Sequence, residues 1–209
     1  MTPKLSIIIP VWNQEELVIK ALDHIPRRKD IEVLVRDDGS TDKTLANLLE
    51  YTDSHPDLNL TVFANGENKG VAWTKNRLLE DAQGLYFHVH DSDDYCNTEV
   101  YSEVIDTLRA DGPDIVLYDL IINDGTVYHL SPETERMWPA QIARFVKCKF
   151  ADGLKFPEDI RAGDDKIFGD YLLARRPQSE YTGKQAYYYN YPREGSLSYL
   201  QERGYYPRV

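Results

Sequence analysis

The feature of this sequence that most restricts its fold is a regular alternation of short β-branched runs with amphipathic stretches. Leu5 to Val11 is a continuous apolar run, typical of a strand that is buried on both faces of a sheet. Similar runs begin near Ile31, Leu58 and Leu85, and apolar residues at helical spacing follow each of them. The alternation predicts an α/β domain with a mostly parallel central sheet and helices on both faces.

The second half of the chain is less regular than the first. Asp124-Gly125 is typical of a hairpin turn and lies between two apolar runs. The spacing predicts strands at 115–123, 126–130 and 185–191 and helices at 138–150 and 163–173. We therefore expect a small mixed region beside the parallel sheet, and we make no prediction for 199–209.

Composition restricts the function classes. The chain has 209 residues, with 24 Lys and Arg against 35 Asp and Glu, a net charge of −11. This length suits one domain, and the acidic balance argues against a protein that coats duplex nucleic acid. No apolar run reaches the ~18–20 residues that span a bilayer, and the N-terminal run is too short for a secretory signal. Cys96 and Cys148 form no metal or disulfide pattern. We therefore expect a cytoplasmic protein with reduced thiols and no stable membrane insertion.

Polar residues follow three of the first four predicted strands. They are Pro10 to Asn13, Asp37 to Ser40 and Asp91 to Asp94. Strand ends of this kind meet at one edge of a parallel sheet, where ligands bind. Grouped carboxylates repel one another, and a divalent cation resolves the repulsion, with Mg²⁺ or Mn²⁺ suited to hard oxygen ligands. Each Asp pair alone is equally consistent with turns and helix caps, and Ser40 or Thr41 is predicted to cap the second helix.

Taken in order, these motifs resemble those of the family 2 inverting glycosyltransferases of the GT-A fold. The resemblance rests on 6–13, 37–42, 68–70 and 91–94, and continues through 155–157, 163–165 and 193–198. It implies a single Rossmann-like GT-A domain over 1–209. In that domain 1–97 would bind the nucleotide-sugar and 98–209 would form the acceptor side.

The resemblance also implies roles for individual residues. The nucleotide-sugar would contact Pro10, Trp12, Asn13, Glu15, Asp38, Lys75, Asp91, Ser92, Asp93 and Arg193. Asp38 would accept a hydrogen bond from the base, and Lys75 would face the diphosphate. Asp91 and Asp93 would form the DxD motif, with Asp93 as the direct ligand of Mn²⁺ or Mg²⁺ and Asp91 toward the ribose and the metal shell. The general base would be Asp165 or its neighbour Asp164, and we favour Asp165.

The implied reaction moves a sugar from a nucleotide-diphosphate sugar to an acceptor hydroxyl with inversion, and a UDP-sugar is the favoured donor. A cation stabilises the charge of the departing diphosphate, and a carboxylate on the opposite face of the sugar deprotonates the acceptor. A glycan, a protein, a small molecule and a modified nucleic-acid base all remain open as acceptors. Three positions depart from the family pattern, where Trp12 replaces Tyr, Lys75 replaces Arg and Asp164 replaces Glu.

Two other functions fit parts of the pattern. A sugar-phosphate nucleotidyltransferase needs a glycine-rich loop after the first strand, and Pro10 to Gln14 contains no glycine. A non-catalytic nucleotide-sugar-binding module would have no reason to keep both Asp93 and Asp165. His88 and His90 alternate on the fourth predicted strand and could include a metal ligand, but we expect packed polar residues there.

Overall fold

The structure is a computed structural model that describes residues 2–130, 141–160 and 162–194. A short 3-10 helix at Gln141–Ala143 precedes the eighth strand of this part of the chain. The other elements are, in chain order, β1 (Leu5–Val11), α1 (Leu17–Asp23), β2 (Ile31–Asp37), α2 (Thr44–Ser54), β3 (Leu60–Ala64), α3 (Val71–Asp81), β4 (Tyr86–Val89), β5 (Tyr95–Cys96), α4 (Thr98–Asp106), β6 (Ile115–Ile122), β7 (Val127–Tyr128), β8 (Arg144–Lys147), α5 (Cys148–Ala151), α6 (Asp164–Ala174) and β9 (Ser179–Tyr189).

The strands form one sheet in the order β3-β2-β1-β4-β8-β6-β9-β5, with β7 paired to β6. The first four strands along the chain pair with one another in parallel, which confirms the prediction for the first half. All seven residues of β1 are buried, as its continuous apolar run requires. Its side chains alternate between two cores, because Ile7 and Ile9 pack with α1, α2 and α4 while Ile8 packs with α3 and α6.

The second half of the chain completes the same sheet with mixed pairing. β8 is antiparallel to both β4 and β6, and β9 is parallel to β6. The far end of β9 then pairs antiparallel with β5, where Tyr187 lies opposite Cys96. This last pairing brings β9 against the loop that follows β4.

The prediction of a helix at 138–150 is wrong for most of the described residues in this range. Residues 138–140 lie outside the described residues. Residues 144–147 form β8, with only the single turn of α5 after it. The open edges of β4 and β6 offer unpaired backbone groups to this segment, and Phe145 and Val146 are buried between them. Pairing with distant strands therefore outweighs the local helical spacing.

The predicted cap of the second helix is also wrong. α2 begins at Thr44, and its N-cap residue is Lys43, whose side chain makes no capping hydrogen bond. The Ser40 hydroxyl instead accepts a hydrogen bond from the backbone of Asn13 at 2.9 Å. The loop after β2 is thus fixed to the loop after β1.

Among the described residues, no helix combines the length and the apolar character needed to cross a bilayer.

Candidate functional site

Two adjoining cavities open at the edge of the sheet where β1, β2 and β4 end. The wide cavity, of about 660 Å³, is lined by Pro10, Val11, Trp12, Asp38, Asn68, Lys69, Gly70, Val71, Ala72, Trp73, Thr74, Glu158 and Ile160. The acidic cavity, of about 310 Å³, is lined by Pro10, Trp12, Gln14, Val71, Lys75, Asp91, Ser92, Asp93, Asp164, Asp165, Tyr189, Asn190 and Arg193. Trp12 lies on the wall of both and is 52% exposed, so its indole face is available to a ligand that spans them.

Asp38 organises the floor of the wide cavity. One carboxylate oxygen, Oδ1, accepts hydrogen bonds from the Asn65 side chain and from the Lys69 backbone N–H, both at 2.8 Å. The other, Oδ2, accepts from the Gly70 N–H at 2.9 Å. Gly70 has a φ of +94°, which glycine adopts without strain, and α3 starts directly after it. Asp38 therefore fixes the approach of α3 to the end of β2.

Asn13 and Glu15 line neither cavity. The Asn13 side chain accepts a hydrogen bond from the Thr41 N–H at 2.8 Å, and the Glu15 carboxylate accepts one from the Lys43 N–H at 2.9 Å. Both residues were predicted from the sequence as nucleotide-sugar contacts. In the structure they hold the loops after β1 and β2 together and so set the position of Trp12.

The acidic cavity brings together four carboxylates and two cations. Lys75 Nζ donates to Asp164 Oδ2 at 2.9 Å and to Asp165 Oδ1 at 2.7 Å. Arg193 places Nε at 2.7 Å and Nη2 at 2.6 Å from Asp93 Oδ2. Asp91 and Ser92 complete the wall, directly after β4, and the cavity remains net negative. The structure thus gathers the residues that the sequence assigned to the DxD motif and to the base.

The buried charges shift one another's protonation. Burial raises the pKa of Asp91 to about 7, with the Asp165 and Asp93 carboxylates adding to the effect and Lys75 opposing it. Burial also raises the pKa of Asp165, again against the opposing charge of Lys75. Burial alone would lower the pKa of Lys75, but the Asp165 and Asp164 carboxylates outweigh it and raise that pKa. The lysine is therefore a permanent cation.

Residues 6–163 match the family model described as Glycosyl transferase family 2. The chain belongs to this family. Among curated relatives, the poly(ribitol-phosphate) beta-N-acetylglucosaminyltransferase TarS of Staphylococcus aureus is 26% identical over 97% of this chain and 39% of its own length. A poly(ribitol-phosphate) beta-glucosyltransferase of Bacillus spizizenii is 25% identical over 97% of this chain and 35% of its own length. This family 2 chain thus spans less than two fifths of the length of those relatives.

Solved structures confirm the GT-A fold of this family 2 chain. The crystal structure of S. aureus TarS 1-349 in complex with UDP-GlcNAc superposes with a TM-score of 0.79 at 23% identity, covering 92% of this chain and 60% of that one. The mannosyltransferase PcManGT from Pyrobaculum calidifontis, in complex with GDP-Man and Mn²⁺, gives a TM-score of 0.75 at 21% identity, covering 97% and 61%. At these identities the likeness establishes the fold.

The donor set of the acidic cavity fits a divalent cation that a ligand's phosphates help to hold. Among the described residues, no group of three or more His, Cys, Asp or Glu side chains forms a metal cluster. Asp91 and Asp93 nevertheless bring hard carboxylate oxygens to one cavity wall. Mg²⁺ is commonly bound by one or two carboxylates together with substrate phosphates. This family 2 site therefore suits a shared cation and does not provide a complete cage of its own.

His88 in β4 and His90 directly after this strand are buried and do not line either cavity. The segment that follows, 91–94, carries the predicted DxD motif and is called the DxD loop. The two ring nitrogens of His88 contact the hydroxyls of Tyr101 at 2.6 Å and Tyr118 at 2.8 Å. Burial lowers the pKa of both histidines, that of His90 to about 4. They are neutral packed residues, in agreement with the expectation from the sequence.

Three residues that line the acidic cavity had been given no role from the sequence, namely Gln14, Val71 and Asn190. Asn190, the residue after β9, fixes the DxD loop, since its side chain donates to the Asp93 carbonyl at 3.1 Å and its N–H donates to Asp94 Oδ1 at 2.8 Å. Its place just before the motif that starts at Arg193 was the available signal.

Proposed function

We propose that this domain transfers a sugar from a UDP-sugar to an acceptor hydroxyl with inversion and with the help of a divalent cation. The observation that carries the proposal is the pair of adjoining cavities that share Trp12. The wide cavity contains Asp38 and suits a nucleoside, and the acidic cavity contains the DxD residues and suits a diphosphate and a sugar. Binding of UDP-GlcNAc and of UDP by TarS supports uracil as the base.

In this proposal the nucleoside occupies the wide cavity. The base lies against the exposed indole of Trp12, which offers an apolar stacking surface. Asp38 accepts a hydrogen bond from the ring N–H of the base. An ionised carboxylate has about four lone-pair sites, so the three donors that already bind Asp38 leave capacity for one more.

The diphosphate lies at the DxD loop, beside Asp91, Ser92 and Asp93. A bound Mn²⁺ or Mg²⁺ would be held by Asp93, with Asp91 in its shell, and would neutralise charge on the departing diphosphate. Arg193 lies on the same wall, in contact with Asp93, and adds a second positive charge near the leaving group. Its guanidinium suits a phosphate as well as a carboxylate.

Asp165 is the general base. Both side chains line the acidic cavity, but that of Asp165 is 32% exposed and that of Asp164 is 7% exposed, so the acceptor reaches Asp165 first. As the acceptor oxygen attacks the anomeric carbon, its proton passes to Asp165. The bond between the anomeric carbon and the diphosphate oxygen breaks, and its electron pair leaves on the diphosphate. Attack on the face opposite the leaving group inverts the anomeric centre.

We also propose that residues 1–209 act as one domain, with the donor bound by 1–97 and the acceptor by 98–209. The single sheet supports this assignment of donor and acceptor binding to two parts of one domain. β1, β2 and β4 carry the donor residues, while α6 and β9 supply Asp165 and Tyr189 to the other side of the acidic cavity. The bond between Asn190 and the DxD loop links the two sides.

A donor screen tests the proposal. Melting temperatures of the protein are measured with UDP-, GDP- and dTDP-sugars, each with and without Mn²⁺, and release of free nucleotide is followed in parallel. We expect a UDP-sugar with Mn²⁺ to raise the melting temperature most, because a ligand that binds only the native state stabilises it by mass action. Asp93→Asn should lose the Mn²⁺-dependent part of the shift. The exposed Asp170→Asn, outside both cavities, is the matched control.

Two results would contradict the proposed function. The first is a protein that neither binds nor hydrolyses any donor of the panel with Mn²⁺. The second is retention of the anomeric configuration in the product, read by nuclear magnetic resonance of the transferred sugar, because a single displacement opposite the leaving group requires inversion.

A further inference from the structure

Lys75 is the most deeply buried cation of the acidic cavity. Its side chain is 3% exposed, and its ammonium lies 5.1 Å from the ring centroid of Phe156. The lysine comes from α3 in the first half of the chain, and both of its carboxylate partners come from the first turn of α6 in the second half. The contact therefore joins the donor side of the site to the acceptor side.

The ammonium of Lys75 is hydrogen-bonded to the first turn of α6. Two of its three N–H donors are directed at Asp164 Oδ2 and Asp165 Oδ1. Moving the ammonium to a diphosphate would leave the Asp164 carboxylate, 7% exposed, without its cation. An unpaired buried charge costs much more than an exposed one, so this movement is strongly opposed.

We propose that Lys75 is a positioning residue for the general base and not a ligand of the diphosphate. Its bond to Asp165 takes Oδ1 and fixes the plane of the carboxylate, so that Oδ2 accepts the proton of the acceptor hydroxyl. Its bond to Asp164 anchors the first turn of α6. This inference rests on the proposed function, because it assigns Lys75 a part in that reaction.

The charges around Asp165 support the proposal. Asp165 faces Lys75 from α3, Asp164 from its own helix, Arg144 from β8 and Asp91 from the loop after β4. Burial and Asp164 raise the pKa of Asp165, while Lys75 and, to a smaller extent, Arg144 lower it. Lys75 thus opposes protonation of the carboxylate, which must be ionised to act as a base, in surroundings that favour its protonation.

The test compares Lys75→Met, Lys75→Arg and the control Lys166→Met. Lys166 follows Asp165 on α6 but is exposed and pairs with Asp170, so its loss removes the same charge without touching the cavity. Three quantities are measured for each protein, namely the Kd for the UDP-sugar with Mn²⁺, kcat, and the pH dependence of kcat.

For Lys75→Met we expect kcat to fall about tenfold or more while the donor Kd stays within about threefold of wild type, as for the loss of a group that acts only in the transition state. The acidic limb of the pH profile of kcat should shift to higher pH by about one unit or more, since a nearby opposite charge lowers a carboxyl pKa by that much. Lys75→Arg should restore the position of the limb and part of kcat. Lys166→Met should match wild type.

The reverse pattern overturns the inference. If Lys75→Met weakens donor binding about tenfold or more and leaves the acidic limb in place, Lys75 is a diphosphate ligand. Should the single variant fail to fold, the double variant Lys75→Met with Asp164→Asn, which removes the unpaired buried charge, is assessed by the same criteria. A wild-type protein that binds no donor would instead contradict the proposed function, so the two failures are distinguishable.

Discussion

Within the acidic cavity, two adjacent carboxylates have different surroundings although they share one cation. Asp164 is almost fully buried and Asp165 is one-third exposed. Both lie in the first turn of α6, where the partial positive charge of the helix N-terminus favours an anion. The sequence left open which of them is the base, and exposure to the cavity favours Asp165.

Replacing Asp165 tests that assignment. We expect Asp165→Asn to lower kcat by about 10²- to 10⁴-fold, the usual contribution of a general base, while the Kd for the UDP-sugar is preserved. Steady-state kinetics and calorimetric titration measure the two quantities. Asp170→Asn, on the same helix and exposed, is the control. A variant that loses donor affinity but keeps kcat would assign Asp165 to binding and not to base catalysis.

At the scale of elements, the loop that joins β3 to α3 depends on close packing against the end of β2. Gly39 has a φ of +70°, and a Cβ at this position would lie 2.5 Å from the backbone carbon of Glu67. The atoms that this Cβ would meet belong to the backbone, so no flexible side chain could rotate away to relieve the clash. This packing allows the neighbouring Asp38 to reach the N–H groups of Lys69 and Gly70.

Gly39→Ala should therefore weaken both the fold and the wide cavity. We expect its free energy of unfolding to fall by about 1–3 kcal/mol, the cost of a strained backbone conformation, with a further loss of donor affinity as the loop shifts. Urea unfolding and donor titration measure the two effects. Gly66→Ala in the same loop is the matched control, because a Cβ there has nothing within 4 Å. Equal destabilisation by the two variants would refute the packing argument.

At the scale of the whole molecule, one sheet carries both the site and a core with several buried titratable groups. Burial raises the pKa of Asp91 to about 7, raises that of Asp94 and lowers that of His88 well below its usual 6.5. The acids and the histidine affect stability in opposite directions. As pH falls, the folded protein takes up protons on the acids, whereas only the unfolded chain takes one up at His88.

A pair of variants separates the histidine from the acids. In His88→Asn the buried acids remain, so the change in its destabilisation with pH reports His88 alone. Below 6.5 the native histidine costs stability, so the destabilisation caused by His88→Asn should be smaller at pH 5 than at pH 7.5, by up to about 2 kcal/mol. Tyr101→Phe removes the hydroxyl that contacts the same ring and keeps the histidine, so its effect should be equal at both values. Urea unfolding provides the comparison, and a pH-independent effect of His88→Asn would contradict it.

Local patterns in the sequence predicted most of the first half. The apolar run of β1 and the polar residues after β1, β2 and β4 predicted both the parallel sheet and the edge at which the two cavities open. Those patterns are local because burial on one or both faces fixes the side-chain period of each element. The prediction failed at 144–147, where the spacing indicated a helix and the edges of two distant strands made a strand.

The sequence by itself determined the four parallel strands of the first half and the acids that follow two of them. Only the tertiary structure decided the partners of those acids and of Asp165. Lys75 meets Asp165 across 90 residues of chain, and Arg193 meets Asp93 across 100. Asn13 and Glu15 hold the loops after β1 and β2 together. The physical reason is that local periodicity specifies which face of an element is apolar, whereas the partner of a charge depends on which backbones the packed core brings within hydrogen-bond distance.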